Sequence, residues 1–453
     1  PVAAKDQQAP VSPRVPNDAH VNQWALATVM APLAWSYSIG EGTVIAVIDS
    51  GVDLDHPDLA SKVWINSGEI PNNGIDDDGN GYVDDVHGWR FDLNGGDGSD
   101  VGDDYGHGTH VAGIAAAATD NGTGVAGLGW SAAVLSIKAL YPTPDPDNDD
   151  ATGTLLDLSY AIDYAVDRDV DVINMSLGAK DIVCSDPSPD VVAVRESINR
   201  AWAQGIVVVA ASGNTWGDHE VFPANCDHVI GVGATERDDD QAPYSTHGAH
   251  VAVSAPGGFD PFWCPTCEIY STSWPGDPKC SGYYCYKHGT SMAAPHVAGL
   301  AALVRARYPA YSPDQVASAI LDNALDLGTE GWDEDFGCGR IDAAAALANG
   351  AVGPTPVCLQ GLAGLSAPAL PEDRPPSVTT EPAFAPGEII VALRSGVSGA
   401  AALAGYGTAA ERLPRLDAWR LRVPLGREQV VLSRLRAEPA VLYAHLNHMV
   451  FAQ

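Results

Sequence analysis

Three segments far apart in the chain carry side chains that together could hydrolyse an acyl bond. Asp49 sits in Val47-Ile-Asp-Ser-Gly-Val-Asp53, His107 opens His107-Gly-Thr-His-Val-Ala-Gly113, and Ser291 lies in Gly289-Thr-Ser-Met-Ala-Ala-Pro295. A serine hydroxyl is a poor nucleophile at neutral pH. It needs an imidazole to take its proton and a carboxylate to orient and stabilise that imidazole. Each residue also has an ordinary reading of its own: a strand-end Asp in a turn, a helix-capping His, a helix-capping Ser. His107 and Ser291 both read as helix openings, and at Ser291 backbone N–H groups would point to where negative charge develops on an attacked carbonyl oxygen. His110, three residues along the same helix, reads as a packed or internally hydrogen-bonded histidine.

A second chemistry belongs to Gly74-Ile-Asp-Asp-Asp-Gly-Asn-Gly-Tyr-Val-Asp-Asp85. It places oxygen donors at Asp76, Asp78 and Asn80 with Gly81 next, like the first six positions of an EF-hand loop. No glutamate stands at the twelfth position, where His87 falls, so Asp85 is the candidate closing carboxylate and Tyr82 the candidate carbonyl donor. So many carboxylates repel one another unless a cation sits among them, and Ca2+ is the expected cofactor. An acidic turn without metal is the alternative, and the acid-rich runs at 97–104 and 145–150 read as solvated loops.

These residues need a scaffold, and the pattern supplies one. Apolar, β-branched-rich runs without polar alternation at 43–48, 134–140, 170–175, 206–211 and 229–234 read as strands buried on both faces. Helical patterns at 107–119, 154–167 and 190–204 fall between them, the last stopped by Gly205. A further helix at 313–324 has Ser312 as cap and Gln315 completing a capping box. The expected fold class is α/β: a parallel sheet with helices on both faces, reactive groups gathering at the carboxyl ends of its strands. Asp49 follows the first run, Ser176 the third and Asn214 the fourth.

In the order Asp, His, Ser, the three motifs resemble those of the subtilisin-like serine proteases, the subtilases, over roughly residues 17–347. The resemblance implies a serine endopeptidase working through an acyl-enzyme on Ser291, with Asp49, His107 and Ser291 as triad. It implies Asn214, in Ala210-Ala-Ser-Gly-Asn214, as second oxyanion donor; alone, that residue would pass for a turn Asn. Ser176, Leu177 and Gly178 should line the P1 pocket and pair with the substrate backbone, with Ala211, Ser212 and Gly213 as the opposite wall. Val221, before Phe222-Pro223, matches the pocket floor, where it should leave less depth than glycine and favour a modest apolar P1 side chain. The acidic loop also resembles the calcium loop between the Asp and His motifs of many subtilases.

Composition narrows the setting. The chain has 453 residues, 45% of them apolar, and a formal net charge of −34, which disfavours nucleic acid as a partner. No apolar run approaches the roughly 18 residues of a membrane span, so no membrane partner is expected. The polar start at 1–16 carries no export signal, which points to a processed form. Eight cysteines, mostly in Gly/Pro/Asp-rich stretches, favour disulfides and a secreted, extracellular protein. Cys264, Cys267, Cys280 and Cys285 offer a zinc alternative, weakened by the uneven spacing and by the lone cysteines elsewhere.

The expected organisation is an N-terminal extension (1–20), a catalytic domain (21–349), a Pro-rich linker (350–385) and a small domain (386–453). The last reads as βαββαβ, a ferredoxin-like α+β unit. It carries eight Arg against five acidic residues, so the rest of the chain holds −37 and should attract it. It resembles the inhibitory prodomain (inhibitor I9-like) that subtilases usually carry before the catalytic domain. That likeness implies a zymogen whose own C-terminal domain acts as inhibitor, with residues 449–453 in the substrate cleft; a plain accessory domain is the other reading. Protein or peptide substrates and a monomer are expected. Two rival classes remain. A secreted calcium-dependent binding module has no need of the three motifs together, and a non-proteolytic hydrolase would need a Gly-x-Ser-x-Gly elbow, whose closing glycine Gly289-Thr-Ser-Met-Ala293 lacks.

Overall fold

Successive side chains of a strand point to opposite faces, so a strand apolar at every position feeds two cores at once. In Val44–Asp49, Ile45 and Val47 enter one buried cluster while Ala46 and Ile48 enter another. The first cluster is closed by helices His107–Ala116 and Thr290–Arg307, the second by helices Leu155–Asp167 and Pro189–Ala203. The computed structural model describes residues 12–18, 23–92, 96–143, 150–259, 264, 266–359, 384–394, 397–413 and 418–453. Most of the N-terminal extension, the acidic run at 145–149, residues 360–383 of the Pro-rich segment and 414–417 in the small domain lie outside them.

The central sheet has seven parallel strands in the order Val253–Pro256, Val229–Thr235, Val207–Ala211, Val172–Met175, Val44–Asp49, Ala133–Lys138, Gly88–Arg90. All carboxyl ends therefore share one edge. From Val44–Asp49 the chain fills one side before crossing back to Val172–Met175, so strand order reverses beside Asp49, where α/β sheets bind ligands. The five strand runs read from sequence all appear, with ends shifted by one or two residues. Helix Pro313–Leu321 has the expected capping box of Ser312 and Gln315, and Thr154 with Asp157 forms another on helix Leu155–Asp167.

The C-terminal unit runs strand Phe384–Leu393, helix Gly399–Leu403, strands Ala409–Leu413 and Ala418–Arg422, helix Glu428–Arg436, strand Val441–Ala452. Its antiparallel sheet, ordered 409–413, 418–422, 384–393, 441–452, has the ferredoxin-like arrangement. One face closes on its own helix through Ile389, Val391, Leu432 and Leu435. The other face, Ile390, Ala392 and Ala418, packs with Leu156 and Tyr160 of the first unit. Strand Val441–Ala452 continues beyond its own sheet and pairs antiparallel with Ala151–Thr154 and Leu177–Lys180. All eight cysteines pair, as Cys184–Cys226, Cys264–Cys267, Cys280–Cys285 and Cys338–Cys358, which leaves no thiolate for zinc. Among the described residues no helix is long and apolar enough to cross a membrane.

Candidate active site

Asp49 is the last residue of its strand and is fully buried, with Oδ1 accepting from the Ser50 N–H at 2.7 Å and lying 2.7 Å from His107 Nδ1. A carboxylate only accepts, so Nδ1 carries the proton and Nε2 is left as the basic nitrogen. Nε2 is buried and makes no hydrogen bond among the described residues. Close approach of the histidine helix depends on Gly108, where a Cβ would lie 2.2 Å from Gly51 O and 3.0 Å from Asp49 Cβ.

The helix opening is fixed by Asp103, one residue of a run read from sequence as a solvated loop. Its buried carboxylate accepts from Gly106 N–H at 2.8 Å, from Thr109 N–H at 2.9 Å and Oγ1 at 2.6 Å, and from Ser50 Oγ at 2.9 Å. It thereby ties the helix that bears His107 to the segment after Asp49. Beside it, Lys138 Nζ donates to Asp104 at 2.6 Å and to the Ser50 carbonyl. His110 Nε2 donates to Cys285 O at 3.2 Å, and burial followed by the Lys287 charge pushes its pKa well below the usual value.

Ser291 is the second residue of helix Thr290–Arg307, which packs on the histidine helix. Four residues on, Pro295 has no N–H to give, so the Ser291 carbonyl lacks its helical partner and instead accepts from Ser176 Oγ at 2.9 Å. In return Ser291 Oγ donates to Ser176 O at 3.0 Å. The nucleophile candidate and the first residue of the predicted pocket wall are thus bonded to each other. Asn214 turns Oδ1 to the N–H and hydroxyl of Thr290, at 3.0 and 2.9 Å, leaving Nδ2 as its side-chain donor. Nδ2 borders Gly289, whose φ of 144° suits only glycine and where a Cβ would lie 3.1 Å from that nitrogen.

The cleft is filled by the protein's own chain. Phe451 pairs with Gly178 and Ala452 with Leu177, while Met449, Val450 and Phe451 pair with Thr154, Gly153 and Thr152. Gln453 N–H donates to Ser176 O at 3.2 Å, and Gln453 O accepts from Ser291 N–H at 3.1 Å. Ser176, Leu177 and Gly178 thus lie along this strand, with Gly213 and Val221 beside the pocket: a Cβ on Gly213 would be 2.9 Å from Val221 Cγ2. Ala211 and Ser212 are fully buried behind that wall.

In the acidic loop, carboxylate oxygens of Asp78, Asp85 and Glu69 come within 4.8 Å of one another. Asn66 Nδ2 bridges Asp78 and Asp85 at 2.9 and 2.8 Å, Tyr164 Oη donates to Asp85 at 2.7 Å, and Arg168 lies 3.3 Å from Asp85. Asp76 faces inward on the loop's own amides, Asn80 N–H at 3.0 Å and Gly81 N–H at 2.8 Å, and Asn80 Oδ1 accepts from Tyr82 N–H at 2.7 Å. The Tyr82 ring packs against Trp89 and Tyr164. Glu69, which the sequence pattern did not single out, also accepts from Asp77, Asp78 and Asp84 N–H groups. Three carboxylates converging with one guanidinium nearby make a hard-oxygen set that suits a divalent cation such as Ca2+.

A buried carboxylate–imidazole pair and a helix-opening serine at the carboxyl edge of a parallel sheet, with a peptide strand laid across them, is the layout of a serine endopeptidase. The subtilase family profile matches residues 40–339, and the chain belongs to that family. Residues 372–447 match the fervidolysin N-terminal prodomain, here placed after the catalytic region. Thermitase of Thermoactinomyces vulgaris is 34% identical over 336 residues, covering 73% of this chain and 99% of that protein. The minor extracellular protease Epr of Bacillus subtilis is 33% identical over 331 residues, 73% of this chain and 42% of its own. A solved protease structure from Pseudoalteromonas arctica superposes with a TM-score of 0.60 at 31% identity, covering 74% of this chain and 99% of that one.

Proposed function

We propose that this subtilase is a secreted, calcium-stabilised endopeptidase whose C-terminal unit inhibits it by occupying the substrate cleft. Asp49, His107 and Ser291 form the triad, and residues 21–349 and 386–453 are the catalytic and inhibitory domains. The observation that carries the reading is Gln453 O on the Ser291 N–H, at the end of a strand paired through the cleft.

For hydrolysis, a substrate strand replaces 449–453. Ser291 Oγ leaves Ser176 O, passes its proton to His107 Nε2 and attacks the carbonyl carbon, while Asp49 stabilises the imidazolium. The oxyanion is met by Ser291 N–H and Asn214 Nδ2. The imidazolium protonates the leaving amine, and water delivered by the same base then frees the acyl group from Ser291. Asp78, Asp85 and Glu69 would hold calcium, with Asp76, Asn80 and Tyr82 shaping the loop; when bound, the ion neutralises their mutual repulsion. Four disulfides and a relative named as extracellular support secretion.

Casein hydrolysis and phosphonate labelling by the wild-type and Ser291→Ala chains, with calcium or with chelator, test this. Ser291→Ala should neither label nor cleave, and chelator should lower the melting temperature by about 5 °C or more. Cleavage by Ser291→Ala would remove the nucleophile assignment, and an unmoved melting temperature would remove calcium.

A further inference from the structure

The strand in the cleft ends on a side chain held by both ends of its amide. Gln453 Nε2 donates to Gly178 O at 3.1 Å, with Phe451 O at 3.4 Å, and Gln453 Oε1 accepts from Asn214 N–H at 3.1 Å. Both protein groups are backbone, so their polarity is fixed: the Gly178 carbonyl only accepts and the Asn214 N–H only donates. A primary carboxamide matches that pair, one donor and one acceptor on the same planar group.

Depth is set by Val221, which is buried with Cγ1 2.7 Å from where a Gly178 Cβ would lie and Cγ2 2.9 Å from where a Gly213 Cβ would lie. The valine therefore fills the space between the two walls. A Gln453 Cγ 3.6 Å from the same Gly178 position shows the side chain running along that wall. It cannot continue straight down, and its amide turns to the backbone groups beside it.

We infer that the S1 subsite selects glutamine at P1, in place of the modest apolar side chain expected from Val221 alone, reading its carboxamide between Gly178 O and Asn214 N–H, with Val221 as the specificity-determining residue. The inference rests on the protease reading above and adds the substrate class. Glutamate would bring an anionic oxygen against the Gly178 carbonyl. Methionine, of similar length, would leave both backbone groups unpaired. Lysine offers donors only and leaves the Asn214 N–H unmatched, and phenylalanine meets Val221.

The test is kcat/KM for fluorogenic peptides Val-Phe-Ala-Xaa, copying 450–452, with Gln, Glu, Met, Leu, Phe or Lys at P1, cleaved by the full chain. Competition from the bound strand scales every peptide alike, so the ratios survive inhibition. Gln should exceed Met by about 10-fold and Glu by about 100-fold. Val221→Gly should bring the Gln/Phe ratio to about 1 or below by raising Phe, a redistribution that loss of folding cannot produce. A flat profile, or preference for Leu, Met or Phe with casein hydrolysis intact, overturns the inference alone. Failure to cleave any peptide or casein overturns the protease reading and this one with it.

Discussion

Pro295 and Ser291 show how one residue prepares another. The missing N–H of Pro295 frees the Ser291 carbonyl for Ser176 Oγ, and Ser291 Oγ answers on Ser176 O, so the two segments hold one register. Asn214 is prepared in the same way. Thr290 takes its Oδ1, and in the proposed mechanism Nδ2 then meets charge that exists only in the transition state. Asn214→Ala should therefore lower kcat by about 10²–10³, the figure known for the corresponding subtilisin donor, with KM nearly unchanged. A raised KM at unchanged kcat would mean that the side chain binds ground-state substrate instead. Asp49, His107, Ser291 and Asn214, which carry the proposed mechanism, stand out in the sequence because each sits in a contiguous motif. Asp103 and Glu69 do not: their work is done on amides and hydroxyls that only folding brings within 3 Å, and an isolated carboxylate in an acidic loop carries no mark of it.

At the scale of elements, the parallel sheet was readable because strands buried on both faces keep an unbroken apolar run. The long strand Val441–Ala452 was read as a strand, but its crossing from one sheet into the cleft could not be, since pairing partners 295 to 299 residues away leave no local trace. Where it crosses, His448 meets the fully buried Asp190: Nδ1 lies 2.8 Å and the backbone N–H 2.7 Å from the same Oδ2. Burial pushes the His448 pKa down, but the Asp190 hydrogen bond and the Asp190 and Asp186 charges outweigh it and leave the value raised. A raised pKa in the docked state gives stabilisation that is full below the ordinary value of 6.5 and lost as pH climbs through the docked value. His445 works the other way. Burial and the Arg436 charge hold it low, so it opposes docking as pH falls below the ordinary value of 6.5, and the penalty is complete once pH passes the lowered value. A labelled peptide competing for the cleft of the Ser291→Ala chain should thus bind more tightly as pH rises from about 6.5 to about 8, where His448 alone changes docking. His448→Gln should flatten that response, and an unchanged or inverted slope would contradict the role given to His448.

The whole molecule joins an acidic subtilase region to a basic C-terminal unit. Residues 386–453 have net charge +3 against −37 for the remainder, and the ferredoxin-like sheet lies with one face on its own helix and the other on Leu156 and Tyr160. Tethering makes docking intramolecular, so the strand reaches the cleft at high effective concentration without needing a tight interface. The two-unit architecture and the charge contrast were open to reading from composition. The disulfide pairs were not, because spacing alone leaves their connectivity undetermined. Val450 offers the most direct handle on the docked strand: it is fully buried among residues of the sheet's core, while its neighbours Phe451 and Ala452 are only partly covered. A carboxylate there carries a desolvation cost the docked strand cannot offset, whereas the undocked strand leaves it in water. The decisive measurement is the rate at which a peptidyl phosphonate labels Ser291 in the full chain with and without Val450→Asp. Blockade of the cleft by 449–453 predicts that labelling accelerates about 10-fold or more in Val450→Asp. Equal rates in the two proteins would contradict it.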